Sequence, residues 1–372
     1  MSERSVIGWD IGGAHVKACL LRCGEVVDVA QWACALWQGM DRLERVLHSA
    51  HERWPEADAA HHAITMTGEM VDLFADREDG VRRIAAELSR QLSAPGGREG
   101  TGSVHFYAGD AGWSDSHAVS THWEAIASAN WLATARHAAQ RFGDGLLVDI
   151  GSTTTDLIAF KQGRVTTRSR TDAQRLASGE LVYHGVVRTP LCAMARRVAW
   201  RGTPHNVMNE FFATAADVYR LTGELNPAHD MHASADSASK DLDATRQRLA
   251  RMIGLDARDG SPEDWHVFAL AWRQCQVAEL GGQLRRVMAL YGMDRPSVVV
   301  SAGCGDFLVE DVLSNAWADA AHDGRRPALA EYGRDVARVG TRSEVAADGV
   351  RAWAQVCAPC VAVAALLHGD LD

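Results

Sequence analysis

A short module built around Asp-Ile-Gly occurs twice in this chain. Residues 9–17 read WDIGGAHVK, and residues 148–156 read VDIGSTTTD. Apolar residues lie on both sides of each copy, and a glycine follows fourteen residues after each aspartate, at Gly24 and at Gly163. The pattern predicts a strand, a D-I-G turn, a second strand, a glycine turn and a third strand in each copy. We therefore expect the chain to fold as two related halves.

Each D-I-G turn has the composition of an anion-binding site. Glycine lets a ligand approach the main chain closely, and successive N–H groups in a tight turn attract an anion. A carboxylate at the end of a buried strand is well placed to hold Mg²⁺, usually through water. We assign Asp10 and Asp149 to Mg²⁺ and phosphate organisation, with a turn cap as the alternative. The candidate phosphate-binding residues of the two turns are Gly12, Gly13, His15, Lys17, Gly151, Ser152, Thr153 and Thr154.

A third glycine-rich element follows a short apolar run late in the chain. Residues 296–300 read PSVVV, which suits a buried parallel strand, and SAGCGDFLVEDV follows at once. A helix is expected to open near Phe307, and a helix N-terminus behind glycines is a natural anion contact. Gly303 and Gly305 are therefore further phosphate-binding candidates.

The hydrophobic pattern alternates between strand and helix periods along the rest of the chain. Short strands are expected before a polar turn at Thr65–Glu69 and at Val104–Tyr107. Helices are expected over residues 38–54, 80–92, 122–141 and 265–291 and across most of 206–256. Loops are expected over 93–103, over most of 174–192 and, as an exposed stretch, over HDMHASADSASKD at residues 229–241.

Length and composition restrict the class of protein. A chain of 372 residues suits two domains. It has no run of eighteen uncharged apolar residues, and its start lacks the apolar segment of a signal peptide. We therefore expect a cytoplasmic protein with no membrane partner. The net charge of −10 argues against a nucleic-acid partner, although a small anionic ligand can still bind in a local pocket.

The eight cysteines are scattered along the chain and do not resemble a disulfide framework. Cys357 and Cys360 form a C-x-x-C pair inside an apolar C-terminal helix, with no second pair nearby in sequence. Packing of small residues on that helix is favoured over a redox or metal-binding role.

Three segments in this order resemble the superfamily that holds actin, the sugar and acetate kinases and the 70-kDa chaperone ATPases. IGWDIGGAHVKACLL and LLVDIGSTTTDLIAF resemble its two phosphate hairpins, and VVVSAGCGDFLVEDV resembles its adenosine or distal phosphate loop. The resemblance implies an α/β fold with two related actin-like, ribonuclease H-like lobes and a central cleft. The expected first lobe is 1–142 with 345–372, and the expected second lobe is 143–344 with a helical insertion.

A narrower resemblance concerns the second hairpin. DIGSTTTDLIAF is similar to the form found in hydantoinase A/oxoprolinase-like proteins. Residues 65–81, 127–135 and 175–193 are similar to one branch of that group, the tetrahydromethanopterin-linked one-carbon pathway proteins, whose archaeal relatives are methanofuran-precursor synthases. This resemblance implies a transferase that condenses an aminomethylfuran-methyl diphosphate with γ-glutamyltyramine. The phenol oxygen displaces pyrophosphate, and an aryl ether forms.

Within these segments, the residues that match suggest roles in the site. Thr67, Glu69, Asp72 and Arg77 are substrate-binding candidates, with a polar turn and helix cap as the alternative. Arg188, next to Thr189, suits either a diphosphate or a glutamyl carboxylate because a guanidinium fork binds both anions.

A phenol nucleophile needs a base, and Asp156 and Glu180 are the candidates. For Lys17 and Asp156 a salt bridge between the two is the alternative to a role in the site, and for His15 the alternative is a solvated loop histidine.

Two other functions stay open from the sequence. The first is an ATP-dependent kinase or a hydantoinase- or oxoprolinase-like amide hydrolase, and the second is a nucleotide-binding regulator without chemistry. Cys304 stands where a kinase adenosine motif has the second glycine of a pair, which disfavours ATP and favours a diphosphate substrate. The expected cofactor is Mg²⁺, and the expected partner is a small phosphorylated substrate, with homo-oligomerisation left open.

Overall fold

The computed structural model describes residues 5–93, 102–293, 296–317, 327–340 and 344–371. The expected loop at 93–103 lies mostly outside these ranges. Fourteen strands are described: β1 Ser5–Ile11, β2 His15–Arg22, β3 Glu25–Ala33, β4 His61–Met66, β5 Val104–Tyr107, β6 Trp113–Ser114, β7 Gly145–Ile150, β8 Thr155–Lys161, β9 Arg164–Val165, β10 Leu181–Val182, β11 Arg197–Trp200, β12 Thr203–Asn206, β13 Val298–Ala302 and β14 Ala328–Glu331.

Helices separate these strands, as the alternating pattern predicts. The α-helices of the described residues are α1 Asp41–Arg53, α2 Arg77–Leu92, α3 Val119–Ile126, α4 Asn130–Phe142, α5 Asp172–Ser178, α6 Leu191–Met194, α7 Ala215–Thr222, α8 Leu242–Arg251, α9 Pro262–Leu290, α10 Val309–Ala316, α11 Glu344–Val356 and α12 Ala358–Leu371. The longest, α9, begins with a capping box in which Ser261 and Asp264 satisfy each other's backbone N–H groups, and Pro262 occupies its first turn.

Two six-stranded sheets share one arrangement. The first has the order β3-β2-β1-β4-β5-β6, in which β1 pairs antiparallel with β2 and parallel with β4. The second has the order β10-β8-β7-β13-β14, with β9 also paired to β8, and β7 is parallel to β13. In both sheets the strand that ends in Asp-Ile lies between its hairpin partner and a parallel strand. The α/β fold with two related halves is therefore confirmed.

The glycine turns of the two modules adopt the same conformation. Cys23 and Gly24 have φ angles of 50° and 77°, and Gln162 and Gly163 have φ angles of 52° and 73°. Positive φ at both central residues is typical of a type I′ hairpin turn, whose twist matches that of the strands it joins. The repeat seen in the sequence is therefore also a repeat of backbone geometry.

The chain divides into two compact units. The first contains residues 1–145, 160–172 and 329–372, and the second contains 146–159 and 173–328. Residues 160–172 and 329–344 were expected in the second lobe, but they belong to the first unit. The C-terminal helix α12 is almost wholly buried in that unit, where it packs on β1, β2 and β4.

The cysteines of α12 have packing roles. Cys357 and Cys360 are fully buried, the thiol of Cys360 donates to the carbonyl of Cys357, and the thiol of Cys19 donates to the carbonyl of Cys360. All eight cysteines fall in the described ranges and are free thiols. Burial raises the pKa of the Cys360 thiol well above its usual value, so it stays protonated.

Two helix predictions are wrong. Residues 206–256 are expected to be mostly helical, but their α-helices are only α7 and α8, at Ala215–Thr222 and Leu242–Arg251. Residues 122–141 form parts of two helices, α3 and α4, that are separated at Ala127–Ala129. Ser128 between them has a φ of 51°, a left-handed conformation that a helix does not accommodate. The segment 174–192, expected as mostly loop, contains α5, β10 and α6.

Among the described residues, no single helix is long and apolar enough to cross a bilayer. The pair α11 and α12 meets the length and composition criteria only when taken together, and it is bent by 100°.

Adjacent glycines in α9 provide a test of the packing. A Cβ on Gly281 would lie 2.9 Å from the Cβ of Asn315 in α10, whereas a Cβ on Gly282 would meet nothing within 4 Å. We expect Gly281→Ala to destabilise the protein by about 1–3 kcal/mol through overpacking. Gly282→Ala is the matched control and should stabilise it by about 1 kcal/mol because alanine favours the helix. Urea unfolding followed by tryptophan fluorescence checks both, and equal midpoint shifts of the same sign would contradict this packing.

Candidate active site

The second D-I-G turn connects β7 to β8. The N–H of Gly151 donates to the carbonyl of Thr154 at 2.8 Å, which closes the turn. Ser152, Thr153 and Thr154 are half-buried, so their hydroxyls lie at an accessible edge of the second sheet. Asp149, one residue from the end of β7, is also half-buried. The phosphate-binding groups predicted for this turn therefore lie together at the end of β7.

A neighbouring segment is bonded directly to this turn. The carbonyl of Ser152 accepts hydrogen bonds from the N–H groups of Val187 and Arg188, at 3.1 and 2.8 Å. A Cβ on Gly185 would overlap the amide nitrogen of Thr153, so only glycine allows this approach. These contacts fix the backbone of Arg188 beside the hydroxyl-rich turn.

Thr189 has a structural contact within the same segment. Its hydroxyl accepts a hydrogen bond from the N–H of Gly185 at 2.8 Å, and the residue is only 2% exposed. Gln276 of α9 donates to the carbonyl of Gly185, and its own amide oxygen accepts from the buried Tyr219 hydroxyl. Thr189 therefore holds the segment in shape beside the turn.

The late glycine loop lies against the same turn. The N–H of Gly305 donates to the carbonyl of Ile150 at 2.8 Å. Gly303 has a φ of 87°, and a Cβ there would lie 2.6 Å from Oδ1 of Asp149. Cys304 between them is buried. The helix behind the loop begins slightly later than expected, with a 3₁₀ turn at Asp306–Leu308 followed by α10.

A cavity of about 360 Å³ opens beside the turn within the second unit. Its lining residues are Thr153, Tyr183, Val187, Arg188, Thr189, Pro190, Phe211, Thr214, Ala216, Asp217, Arg220, Asp230, His232, Ala233 and Ser234. Nη1 of Arg188 lies 3.4 Å from Oγ1 of Thr153. Burial lowers the pKa of the Arg188 guanidinium, an effect partly opposed by Tyr183, but arginine remains charged at neutral pH. The cavity therefore has a cation at the hydroxyl-rich turn.

The polar segment 229–241 is a largely exposed loop, as expected, but part of it lines the cavity. Asp230, His232 and Ser234 line the cavity. Asp230 accepts hydrogen bonds from Arg220 at 2.6 Å and forms an ion pair with Lys240 at 2.9 Å. Charge pairing therefore holds this segment against the helices, which its polar composition did not reveal.

The first D-I-G turn has the same closing hydrogen bond, from the N–H of Gly12 to the carbonyl of His15 at 2.9 Å. His15 is only 7% exposed, so the alternative of a solvated loop histidine is wrong. Asp10 is buried at the end of β1, where its register partners are Lys17 on β2 and Thr65 on β4. Nζ of Lys17 donates to the carbonyl of Val356 at 3.1 Å, so this side chain contacts the C-terminal end of α11.

The loop after β4 packs on this first turn. The N–H groups of Thr67 and Gly68 both donate to the carbonyl of Ile11 at 2.9 Å. A Cβ on Gly13 would lie 2.7 Å from the side chain of Val71. Thr67 is therefore placed beside the first turn as expected, whereas Asp72 is exposed.

A buried carboxyl cluster follows directly in the same loop. Oε1 of Glu69 accepts hydrogen bonds from Oγ of Ser128 at 2.7 Å and from Nη2 of Arg77 at 3.1 Å. Arg77 also contacts Asp172 at 3.3 Å. The left-handed conformation of Ser128 belongs to this arrangement, because Ser128 lies in the break between α3 and α4. Sequence patterns had identified Glu69 and Arg77 but not Ser128 or Asp172.

Glu69 is fully buried, and this changes its protonation. Burial raises the pKa of Glu69 above its usual value, while the contacts with Ser128 and Arg77 partly oppose the shift. Oε2 of Glu69 has no hydrogen-bond partner among the described residues. The arrangement therefore favours a neutral carboxyl group next to the first turn.

The two predicted bases have other contacts. Asp156 pairs with Arg175, which is itself buried. Glu180 is fully buried and accepts hydrogen bonds from Ser178 at 2.6 Å and Tyr291 at 2.9 Å. Neither carboxylate lines the cavity. The structure therefore gives both residues contacts that hold the second sheet and its neighbours together. Within their own units, Lys17 bonds to the carbonyl of Val356 and Asp156 bonds to Arg175.

The chain matches a known protein family. Residues 61–316, more than half of the chain, match the hydantoinase/oxoprolinase family, and the chain belongs to it. A relative from Methanocaldococcus jannaschii is 26% identical over 309 residues, which cover 83% of this chain and 88% of that protein. Its name is (4-{4-[2-(gamma-L-glutamylamino)ethyl]phenoxymethyl}furan-2-yl)methanamine synthase.

Two further comparisons concern a second archaeal protein and a solved structure. A Methanococcus vannielii protein of the same name is 27% identical over 169 residues, which cover 45% of this chain and 74% of that protein. A ROK family glucokinase from Streptomyces griseus, solved with glucose and AMPPNP, is 13% identical. That comparison covers 97% of this chain and 98% of the glucokinase at a TM-score of 0.46.

Substituting Glu69 tests the buried carboxyl. The native pKa of Glu69 is raised, so its contribution to stability is complete below the unfolded value near 4.5 and is lost as the pH rises towards the native pKa. Glu69→Gln keeps the shape and an oxygen for Ser128 and Arg77 but does not titrate. As the pH rises above 4.5, the unsubstituted protein loses this contribution and the Glu69→Gln variant does not. We therefore expect the unfolding free energy of the variant, minus that of the unsubstituted protein, to increase with pH.

Urea titrations at several pH values between 4 and 8 measure this difference. The exposed Glu263→Gln serves as the control and should show no such trend. A difference that stays constant, or that falls with rising pH, would show that Glu69 is not a carboxyl with a raised pKa.

Proposed function

We propose that the protein is a transferase of methanofuran-type cofactor biosynthesis. It joins a furan-methyl diphosphate that carries an aminomethyl group to the phenol of γ-glutamyltyramine and releases pyrophosphate. The archaeal relatives support this proposal because the compound in their name has an aryl ether between a phenoxy oxygen and a furan methylene.

The position of Arg188 is the observation that carries the proposal. Its backbone is bonded to the carbonyl of Ser152, its side chain reaches Thr153, and it lines the cavity beside this turn. A guanidinium and a row of hydroxyls at one turn suit an anionic leaving group. The same parts leave the cavity available for an organic substrate.

The chemical step is a substitution at the furan methylene carbon. The bond between this carbon and the diphosphate oxygen breaks, and its electron pair leaves with pyrophosphate. A bond forms between the carbon and the phenol oxygen, and the phenolic proton is released to a base or to water. Fixed donors at the diphosphate stabilise the charge that grows on the leaving group. Holding both substrates close together lowers the barrier further.

Mg²⁺ fits this site as an ion shared between protein and substrate. The described residues contain no group of three or more His, Cys, Asp and Glu side chains that could hold a metal. Mg²⁺ is commonly held by one or two carboxylates together with substrate phosphates, so a dedicated cage is not required. Asp149, half-buried beside the second turn, would hold it in the second unit, and Asp10 is the equivalent carboxylate of the first. When bound, Mg²⁺ would offset the charge of the diphosphate.

A direct assay tests the reaction. The protein is incubated with the furan-methyl diphosphate, γ-glutamyltyramine and Mg²⁺, and both pyrophosphate and the ether product are quantified by mass spectrometry. We expect equal amounts of the two products, and a loss of both when EDTA removes the metal. ADP formed from ATP in the presence of a co-substrate, without any ether, would instead show a kinase or an ATP-dependent hydrolase.

Arg188→Gln tests the proposed anion contact. Removing the guanidinium should lower kcat/KM for the diphosphate substrate about a hundredfold, because a charge-assisted contact to the leaving group is lost. The matched control is Arg201→Gln, an exposed arginine paired with Asp264, which should leave kcat/KM unchanged. Circular dichroism confirms that both variants fold. A folded Arg188→Gln protein with unchanged kcat/KM would rule out this role.

A further inference from the structure

The cavity of the second unit has features that diphosphate binding does not require. Tyr183 and Phe211 both line it, and each is 55% exposed. Single exposed aromatic residues are common on protein surfaces. Two in one cavity, beside an arginine that faces a phosphate-type turn, form an apolar surface that a planar ring can contact.

The same cavity also contains a cluster of paired charges. Arg220 donates to Asp217 at 2.8 Å and to Asp230 at 2.6 Å, and all three residues line the cavity. Asp217 is 1% exposed and receives a second guanidinium contact from the buried Arg248 at 2.8 Å. Buried ion pairs rarely stabilise a fold more than apolar packing does. Asp217 also caps α7 by accepting from the N–H of Thr214, so its burial has a structural role. Arg220 and Asp230 are less buried and place charges of both signs at the cavity wall.

We propose that this cavity is the binding site for the acceptor, a phenol that carries an amino-acid head group. The inference rests on the proposed function and identifies which substrate occupies the cavity. The aromatic ring contacts Tyr183 and Phe211, and the zwitterionic head of the γ-glutamyl group binds at Arg220 and Asp230. The phenol oxygen then faces the diphosphate held at Thr153 and Arg188.

Size and charge both favour the acceptor over the donor as the occupant. At about 360 Å³, the cavity is at the small end of ligand pockets, which range over roughly 300–1,000 Å³, so it suits one substrate rather than two. The γ-glutamyl head of the acceptor has an ammonium and a carboxylate on one carbon. These two charges match a cavity wall that offers carboxylate and guanidinium groups. The donor has an ammonium but no carboxylate, and its diphosphate belongs at the hydroxyl-rich turn.

Calorimetric titration of the full chain tests the assignment. The two probes are γ-glutamyltyramine and magnesium pyrophosphate, and the acceptor is titrated with and without pyrophosphate so that ordered binding is detected. We expect Tyr183→Leu and Phe211→Leu each to weaken γ-glutamyltyramine binding about tenfold and to leave pyrophosphate binding unchanged. Leu290→Ala is the control, because Leu290 is also 55% exposed but does not line the cavity.

Tyramine tests the head group separately. Lacking the γ-glutamyl group, it should bind the unsubstituted protein at least tenfold more weakly than γ-glutamyltyramine does. Asp230→Asn keeps the shape of the wall but removes one charge, and it should reduce this preference.

Unchanged γ-glutamyltyramine affinity in both folded aromatic variants would overturn the proposal. So would equal losses of acceptor and pyrophosphate binding. The ether-forming assay run on the same samples separates the two levels of inference. If the ether forms but the aromatic variants bind the acceptor normally, the acceptor binds elsewhere. If the protein neither forms the ether nor binds the acceptor, the proposed reaction is ruled out as well.

Discussion

The hydrogen bonds from the carbonyl of Ser152 to the N–H groups of Val187 and Arg188 are the contacts on which the candidate site depends. They join two segments that are separate in sequence and place a guanidinium beside a row of hydroxyls. The approach is possible because Gly185 has no side chain. A main-chain contact of this kind fixes the position of the backbone without using the side chains.

The two modules share a backbone but differ in their surroundings. Both turns are closed by the same hydrogen bond, and both hairpins use the same pair of positive φ angles. The second turn has hydroxyls and a cavity beside it. The first has the fully buried Glu69 with Ser128 and Arg77, and its Lys17 contacts the end of a helix. Equivalent turns therefore support different chemistry, because the neighbouring loops supply the side chains.

Local patterns predicted the strands of the two modules, β4, β5, β13, the D-I-G turns and the late glycine loop, because apolar periodicity and glycine placement act over a few residues. The short strands β6, β10, β11, β12 and β14 were not predicted. Such patterns predicted the candidate site only in part. Ser128 ends a helix through a backbone conformation that no residue pattern signals. Segment 229–241 is polar enough to suggest a solvated loop, and its composition does not reveal that Asp230 pairs with Arg220 of α7 as well as with Lys240. Glu180 has the residue type of a base, but its burial and its hydrogen bonds from Ser178 and Tyr291 become evident only in three dimensions.

The burial of α12 has a consequence for synthesis on the ribosome. This helix packs on β1, and a side chain on Gly8 would overlap the carbonyl of Cys360. β1 must therefore wait for α12, which lies far along the chain, before its sheet is covered. Domains generally fold as units while the chain emerges. Here the intervening unit can fold first, and one apolar face of β1 stays uncovered until α12 has been translated.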